Sequence, residues 1–282
     1  MRLVCSGMPD ALERMTSLNE NLTVAEQIIS LKMGILGTLG RKCYLTGFDD
    51  QDLKFSLGLP VKPGCDPDKL DACGSELVIF GTGQRIPETR EQLEMQCRVE
   101  RAAEICARDF AKECLPPLPR GMVIVILEGI SQEVTWKCDA NHSLHQAFLR
   151  HAPCMNKIGD TLHKCMTNLT SKLDFSAGVE PHQRVSRSCC NFQEYIDCSH
   201  RAVERSCGKE AGEYIRKLLT RSAGDFIEIA CVSHKTDGPA CKKINSLSPN
   251  QLSNRIGQLN EVNSNRSMSL LSPMAKLVTA EG

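Results

Sequence analysis

What this chain has little of narrows it first. Aromatic residues make up 4% of its 282 positions, with a single tryptophan. Lys+Arg and Asp+Glu are equal at 34 each, so neither charge is in excess. That removes the basic surplus with which proteins hold nucleic acid or anionic lipid, and the acidic surplus of a calcium store. No run of the roughly 18 apolar residues that a membrane-spanning helix needs is present. No C-x-x-C pair occurs either; apart from Cys189-Cys190, the nearest cysteines stand as far apart as Cys65 and Cys73. Zinc and thiol-redox sites both use closer spacing. The motifs G-x-S-x-G, H-E-x-x-H and G-x-x-x-x-G-K-[ST] are missing. The expectation is therefore a non-enzymatic protein with no catalytic residue, cofactor or metal site.

Cysteine, by contrast, is abundant, at 16 residues. An even number without metal spacing reads as eight disulfides, and disulfides read as an oxidising, extracellular compartment. The residues concerned are Cys5, Cys43, Cys65, Cys73, Cys97, Cys106, Cys114, Cys138, Cys154, Cys165, Cys189, Cys190, Cys198, Cys207, Cys231 and Cys241. Four N-x-S/T sequons, at Asn21, Asn141, Asn168 and Asn265, exceed the roughly 1.5 that this composition supplies by chance. Together these features predict a secreted N-glycoprotein. The start, MRLVCSGMPDALERM, lacks the apolar core of a signal peptide, so secretion predicts a native start upstream of the given one.

The cysteines repeat. Cys65, Cys73, Cys97, Cys106, Cys114 and Cys138 precede Cys154, Cys165, Cys189, Cys198, Cys207 and Cys231 by 89, 92, 92, 92, 93 and 93 residues. Asp68-x-Leu70-x-x-Cys73 matches Asp160-x-Leu162-x-x-Cys165 in the same register. The period is longer than a solenoid repeat and predicts duplicated modules. The expected division is a helical extension over 1–64, six-cysteine modules over 65–153 and 154–244, and a flexible Ser/Asn-rich tail over 245–282.

The register also decides secondary structure. Met122 to Leu127 (MVIVIL) reads as a strand by run length alone. Positions apolar in both copies, however, are 122/215, 125/218, 126/219, 130/223 and 134/227. Steps of 3, 1, 4 and 4 mark one face of a helix. A second helix carries Val99, Ala103, Cys106 and Phe110 inward, with Arg98, Glu100, Arg101, Glu104 and Arg108 outward. Cys97 and Cys106 are nine steps apart, which turns them to opposite sides, so this helix can be stapled to two neighbours. A first helix over about 66–80 ends at Gly81-Thr-Gly83, and Pro87 opens the second. Leu115-Pro-Pro-Leu-Pro-Arg-Gly121 separates the second and third. Each module thus reads as three helices, and the fold as all-α. Counting residues from the first turn favours Cys73–Cys97 and Cys165–Cys189 as bridges. Val24 to Leu36 carries a further helical stripe, and Cys5–Cys43 is a local pair.

Few residues invite chemistry. The C-C-x-x-H-x-x-C motif of secreted phospholipase A2 is matched at Cys189-Cys190 and broken at Gln193, which stands where that enzyme has its histidine base. His142 and His145 share a helix face, but with His151 they are expected on a solvated helix around the Asn141 sequon. Trp136 aligns with Ile229 and is expected in the core. Acid–base neighbours such as Glu100/Arg101 and Glu104/Arg108 read as exposed pairs.

With the repeat in view, the chain resembles the uncharacterised secreted cysteine-rich helical proteins of arthropods and other invertebrates, and more loosely the 27 kDa haemolymph glycoproteins. The resemblance rests on Cys138 to Cys165, with Gln146-Ala-Phe-Leu-Arg-His-Ala-Pro-Cys154 inside, and on Cys189-Cys190 to Cys231. It spans about 65–241, implies an extracellular helical protein and carries no functional residues. The expected role is structural or partner-binding, toward an extracellular protein or matrix. The alternative is carriage of a small apolar, lipid-like ligand between helices.

Overall fold

A computed structural model describes residues 2–5, 43–46, 59–179, 181–224, 226–231, 234–246 and 269–278. Near the N-terminus, strands β1 (Arg2–Cys5) and β2 (Cys43–Thr46) pair antiparallel, with Cys5 opposite Cys43 in the backbone register. This ribbon departs from the helical extension expected over 1–64. The helical stripe at Val24 to Leu36 lies outside the described residues.

Everything else described is helix, turn or loop. Helix α1 (Asp68–Gly74) runs into a 3₁₀ turn (Ser75–Leu77), earlier than the expected end. Helix α2 (Arg90–Cys114) starts where Thr89 and Gln92 form a reciprocal capping box: the Gln92 N–H donates to Thr89 Oγ1 and the Thr89 N–H to Gln92 Oε1. Helix α3 (Pro117–Cys138) begins inside the Pro-rich segment, because a proline at the first helical turn loses no hydrogen bond. Met122 to Leu127 are all buried, as suits a helix enclosed on every side. Helices α4 (Ser143–Lys157), α5 (Gly159–Ala177), α6 (Pro181–Cys207) and α7 (Lys209–Ala223) follow. A π-turn (Phe226–Ala230), α8 (Pro239–Ser246) and α9 (Leu271–Lys276) complete the described chain.

All ten residues of the shared apolar face are buried: Met122, Val125, Ile126, Ile130 and Val134 on α3, and Ile215, Leu218, Leu219, Ala223 and Ile227 after them. The helical reading of both segments holds. On α2 the buried stripe is Leu93, Cys97, Glu100, Ala103, Ala107, Phe110 and Cys114. Val99 is exposed and Glu100 buried, the reverse of the expectation.

Seven disulfides join the fourteen cysteines from Cys65 to Cys241, and the side chains of Cys5 and Cys43, expected as a local pair, lie outside what the structure describes. In the first run they are Cys65–Cys114, Cys73–Cys106 and Cys97–Cys138. In the second they are Cys154–Cys207, Cys165–Cys198 and Cys189–Cys231. The order of pairing is the same in both. Cys190–Cys241 ties α8 to α6 and has no counterpart. The expected bridges Cys73–Cys97 and Cys165–Cys189 are therefore wrong. Cys97 and Cys106 do face different neighbours, but Cys106 meets α1 and Cys97 meets the end of α3.

The halves are not separate bodies. One continuous apolar cluster runs from Leu59 to Leu277. Helix α3 packs on α7, and Gly129 and Gly224 let the two backbones touch; a Cβ on Gly129 would lie 2.8 Å from the Gly224 nitrogen. Asn156 closes the segment before α2 onto α4: its Oδ1 accepts from the Ile86 N–H at 2.9 Å, and its Nδ2 donates to the Ile86 carbonyl at 2.8 Å. The boundary expected at 153/154 falls inside α4. Within the expected tail of 245–282, α9 is docked instead: it packs on α1, α3 and α5, with Leu271, Met274 and Ala275 buried, while 247–268 and 279–282 lie outside the described residues.

Candidate site at the junction of the halves

Two ion pairs with buried carboxylates and partly exposed cations lie where α3 meets its neighbours. Lys137, in the last turn of α3, donates to Glu100 Oε1 of α2 at 2.7 Å. One turn earlier, Glu133 receives Arg221 of α7 through both oxygens, at 2.7 and 3.3 Å. Glu133 is 4% exposed and Glu100 is 6% exposed. Glu100 Oε2 has no hydrogen-bond partner. The pairs border a cavity of about 70 Å³ whose other walls include Ile126, Ile130, Phe148, Phe192, Leu218 and Ala223.

Aromatic and histidine side chains surround this centre. Lys137 Nζ sits 5.5 Å from the Phe148 ring centroid. The His145 ring contacts the Lys137 carbonyl through Nδ1 at 2.9 Å. His151 packs against Tyr214, centroids 4.9 Å apart, and burial holds its pKa below the usual histidine value, against the pull of Glu210. Burial pushes the Tyr214 phenol above its ordinary range, and the Glu133 carboxylate adds to the shift.

The histidines thus correct the expectation of a solvated helix. His145 and His151 are buried, and only His142 does surface work: its Nδ1 accepts the Leu144 N–H and caps α4. Trp136 stacks on the His142 ring, centroids 5.8 Å apart, and is half-buried, outside the core where it was expected. Glu104–Arg108 forms the helix-face pair expected, at 2.8 Å and extended to Glu128 at 3.0 Å, but partly buried where exposure was expected, and Glu100 pairs with Lys137 of α3. Cys97, Glu100 and Cys138 lie close enough to ligate one ion, but the two sulfurs are bonded to each other and offer no thiolate.

The sequons fare differently. Asn141 is exposed on a turn between α3 and α4. Asn168 is half-buried in the middle of α5, and its Thr170 is buried and donates to the Met166 carbonyl. Asn21 and Asn265 lie outside the described residues. Exposed apolar side chains sit on the outer side of α2: Met95, Val99 and Ile105.

The helical span with its staples coincides with a known family. A family model described as a domain of unknown function, DUF19, matches residues 81–232, more than half of the chain. The chain belongs to the DUF19 family. The DUF19 match starts at the turn before α2 and ends beside Cys231, so it takes in both ion pairs and the second cysteine run whole, and most of the cavity wall, with Leu77, Val78, Ile79 and Leu270 outside it. It leaves Cys65 and Cys73 outside, although both are bridged to α2 within it. No curated protein and no solved structure matches the chain. As a DUF19 member it is a disulfide-rich helical protein, and no described helix is long and apolar enough to cross a membrane.

Proposed function

We propose that this DUF19 protein is a secreted, N-glycosylated, non-enzymatic protein that works by binding a partner in an extracellular fluid or matrix. The observation that carries this is the sulfur chemistry: all fourteen cysteines from Cys65 to Cys241 are paired in disulfides, in an arrangement that a reducing compartment would dismantle. Asn141 supports it, since an exposed turn is where a glycan is accepted without cost to the core. The ionisable groups at the junction favour a non-enzymatic role, because the charges of Glu100 and Glu133 are each met by one cation, Lys137 and Arg221, instead of converging on an open cleft. Met95, Val99 and Ile105 supply apolar surface for a partner-binding role. The resemblance to invertebrate secreted proteins, haemolymph glycoproteins among them, favours a body fluid, cuticle or egg matrix. Carriage of a lipid is the weaker reading, since the apolar cavity offers about 70 Å³ where such a body needs roughly 300 Å³ or more, and the roomier pocket of about 340 Å³ is lined by the exposed polar side chains of Thr161, Arg201, Arg205 and Ser206.

The test is expression through the secretory pathway of a eukaryotic cell behind a heterologous leader. The reading expects export, no free thiol under denaturant, a glycan at Asn141 and a bound partner when the exported protein is crosslinked in extracellular fluid. Retention inside the cell with free thiols and a bare Asn141 would overturn it.

A further inference from the structure

The two halves differ in chemical character at two positions that line the cavity, Glu100 and Glu133. Between Cys97/Cys189 and Cys106/Cys198 the register differs by 92 residues, which aligns Glu100 with Phe192. Between Cys114/Cys207 and Cys138/Cys231 it differs by 93, which aligns Glu133 with Phe226. In the second half these two phenylalanines pack on each other, centroids 5.5 Å apart. In the first half two carboxylates stand instead, held by Lys137 and Arg221. A buried ion pair seldom stabilises more than a well-packed apolar pair of similar volume. The frame accepts the apolar plug in one half, so stability alone does not account for the carboxylates in the other.

The polar atoms around the cavity have an uneven balance. Each carboxylate has one cation, so the charges cancel. Arg221 occupies both oxygens of Glu133, and Lys137 occupies Glu100 Oε1. Ser222 Oγ donates to the Leu218 carbonyl, and the Tyr195 hydroxyl is engaged with Ser199. Glu100 Oε2 is left over: a buried acceptor without a donor, on a side chain that lines the cavity and is 6% exposed. Leaving such an acceptor unmet is costly, and the missing partner is a donor.

We propose that this cavity is a binding site for a small neutral molecule that donates a hydrogen bond to Glu100 Oε2 and lays a short apolar body against Ile126, Ile130 and Leu218. An ion is disfavoured because the charges already cancel, and a further one would be buried unpaired. Size sets the class: the cavity is about half the roughly 150 Å³ that admits benzene, so the guest has three or four heavy atoms, as in a short-chain alcohol or amide. The site stands whether or not the protein is secreted.

Titration of the full disulfide-bonded chain with 1-propanol, propylammonium and propionate, followed by the methyl resonances of Ile126, Ile130 and Leu218, tests this. Saturable shifts are expected with 1-propanol, and binding weaker by about tenfold or more for both ions. Ala223→Leu fills the cavity from α7 while leaving Glu100 and Lys137 in place, and is expected to abolish the 1-propanol shifts. Glu100→Phe, which copies the second half, is expected to do the same and serves if the first variant fails to fold. Absence of saturation with 1-propanol means that the cavity holds only water, and overturns the proposal. So does equal binding of the three probes, or undiminished binding to a folded, cavity-filled variant.

Discussion

Glu133 shows how much one side chain can depend on a partner remote in sequence. It is buried, and its charge is met by Arg221, 88 residues further along. Arg221→Ala leaves that carboxylate buried and unpaired. The expected loss is about 3 kcal/mol, read as a lower urea midpoint at unchanged slope. Glu100 was legible only in part. Placing Val99 on the inner stripe puts Glu100 outside; taking the stripe through Cys97, Ala103, Ala107 and Phe110 puts it inside, one helical step round. Charge argues for exposure by default, and the cation that reverses the default, Lys137, sits on another helix. His145 and His151 were misplaced for the same reason, since a histidine's burial is set by neighbours that its own segment does not contain.

Among the elements, α2 has the most to decide, because it carries thiols on opposite faces. That much follows from helical geometry, and so does the conclusion that it binds two neighbours. The choice of neighbour does not follow. Counting residues back from a tight turn assumes two regular helices, whereas α1 is short and gives way to a 3₁₀ turn and a loop, which brings Cys73 opposite Cys106; α5 and α6 are both long and regular, and there the packing of the pair sets Cys165 against Cys198. Non-reducing peptide mapping is expected to recover Cys73–Cys106 and Cys165–Cys198, and no Cys73–Cys97 or Cys165–Cys189 species. Cys190–Cys241 closes a separation of 51 residues, so replacing both with serine is expected to cost about 2–4 kcal/mol in chemical denaturation. The α3–α7 crossing depends on the absence of side chains at Gly129 and Gly224. Gly129→Ala sets a methyl against backbone that cannot yield, and a loss of about 1–3 kcal/mol is expected in thermal unfolding.

At the scale of the whole molecule, the single apolar cluster and the docked α9 make both halves and the C-terminal segment one folding unit. Asp71 couples that docking to pH. Burial raises its pKa from 3.8 to about 6, against the lowering effects of the Ser272 hydrogen bond and Lys276, both on α9. A carboxyl with a raised folded-state pKa binds more protons folded than unfolded between these values. Its stabilising contribution is full below about 4 and is lost as pH rises through 6. The protein is therefore expected to hold α9 more tightly at pH 4.5 than at 7.5, by up to about 2 kcal/mol from this group. Asp71→Asn is expected to flatten that difference, with hydrogen exchange of the Met274 and Leu277 amides as the readout.

The amino-acid sequence by itself determined the helices and the repeated spacing of thiols, because both are periodic: a helix declares its buried face every three to four residues, and a duplicated run declares its register. It also carried the oxidising compartment as an expectation, since cysteine number and spacing are chemical facts that need no fold. Tertiary structure alone decided which thiols bond, which charges are buried and that the halves share one core. Those outcomes rest on contacts between segments tens of residues apart, and no local pattern records the distance between two surfaces before they meet.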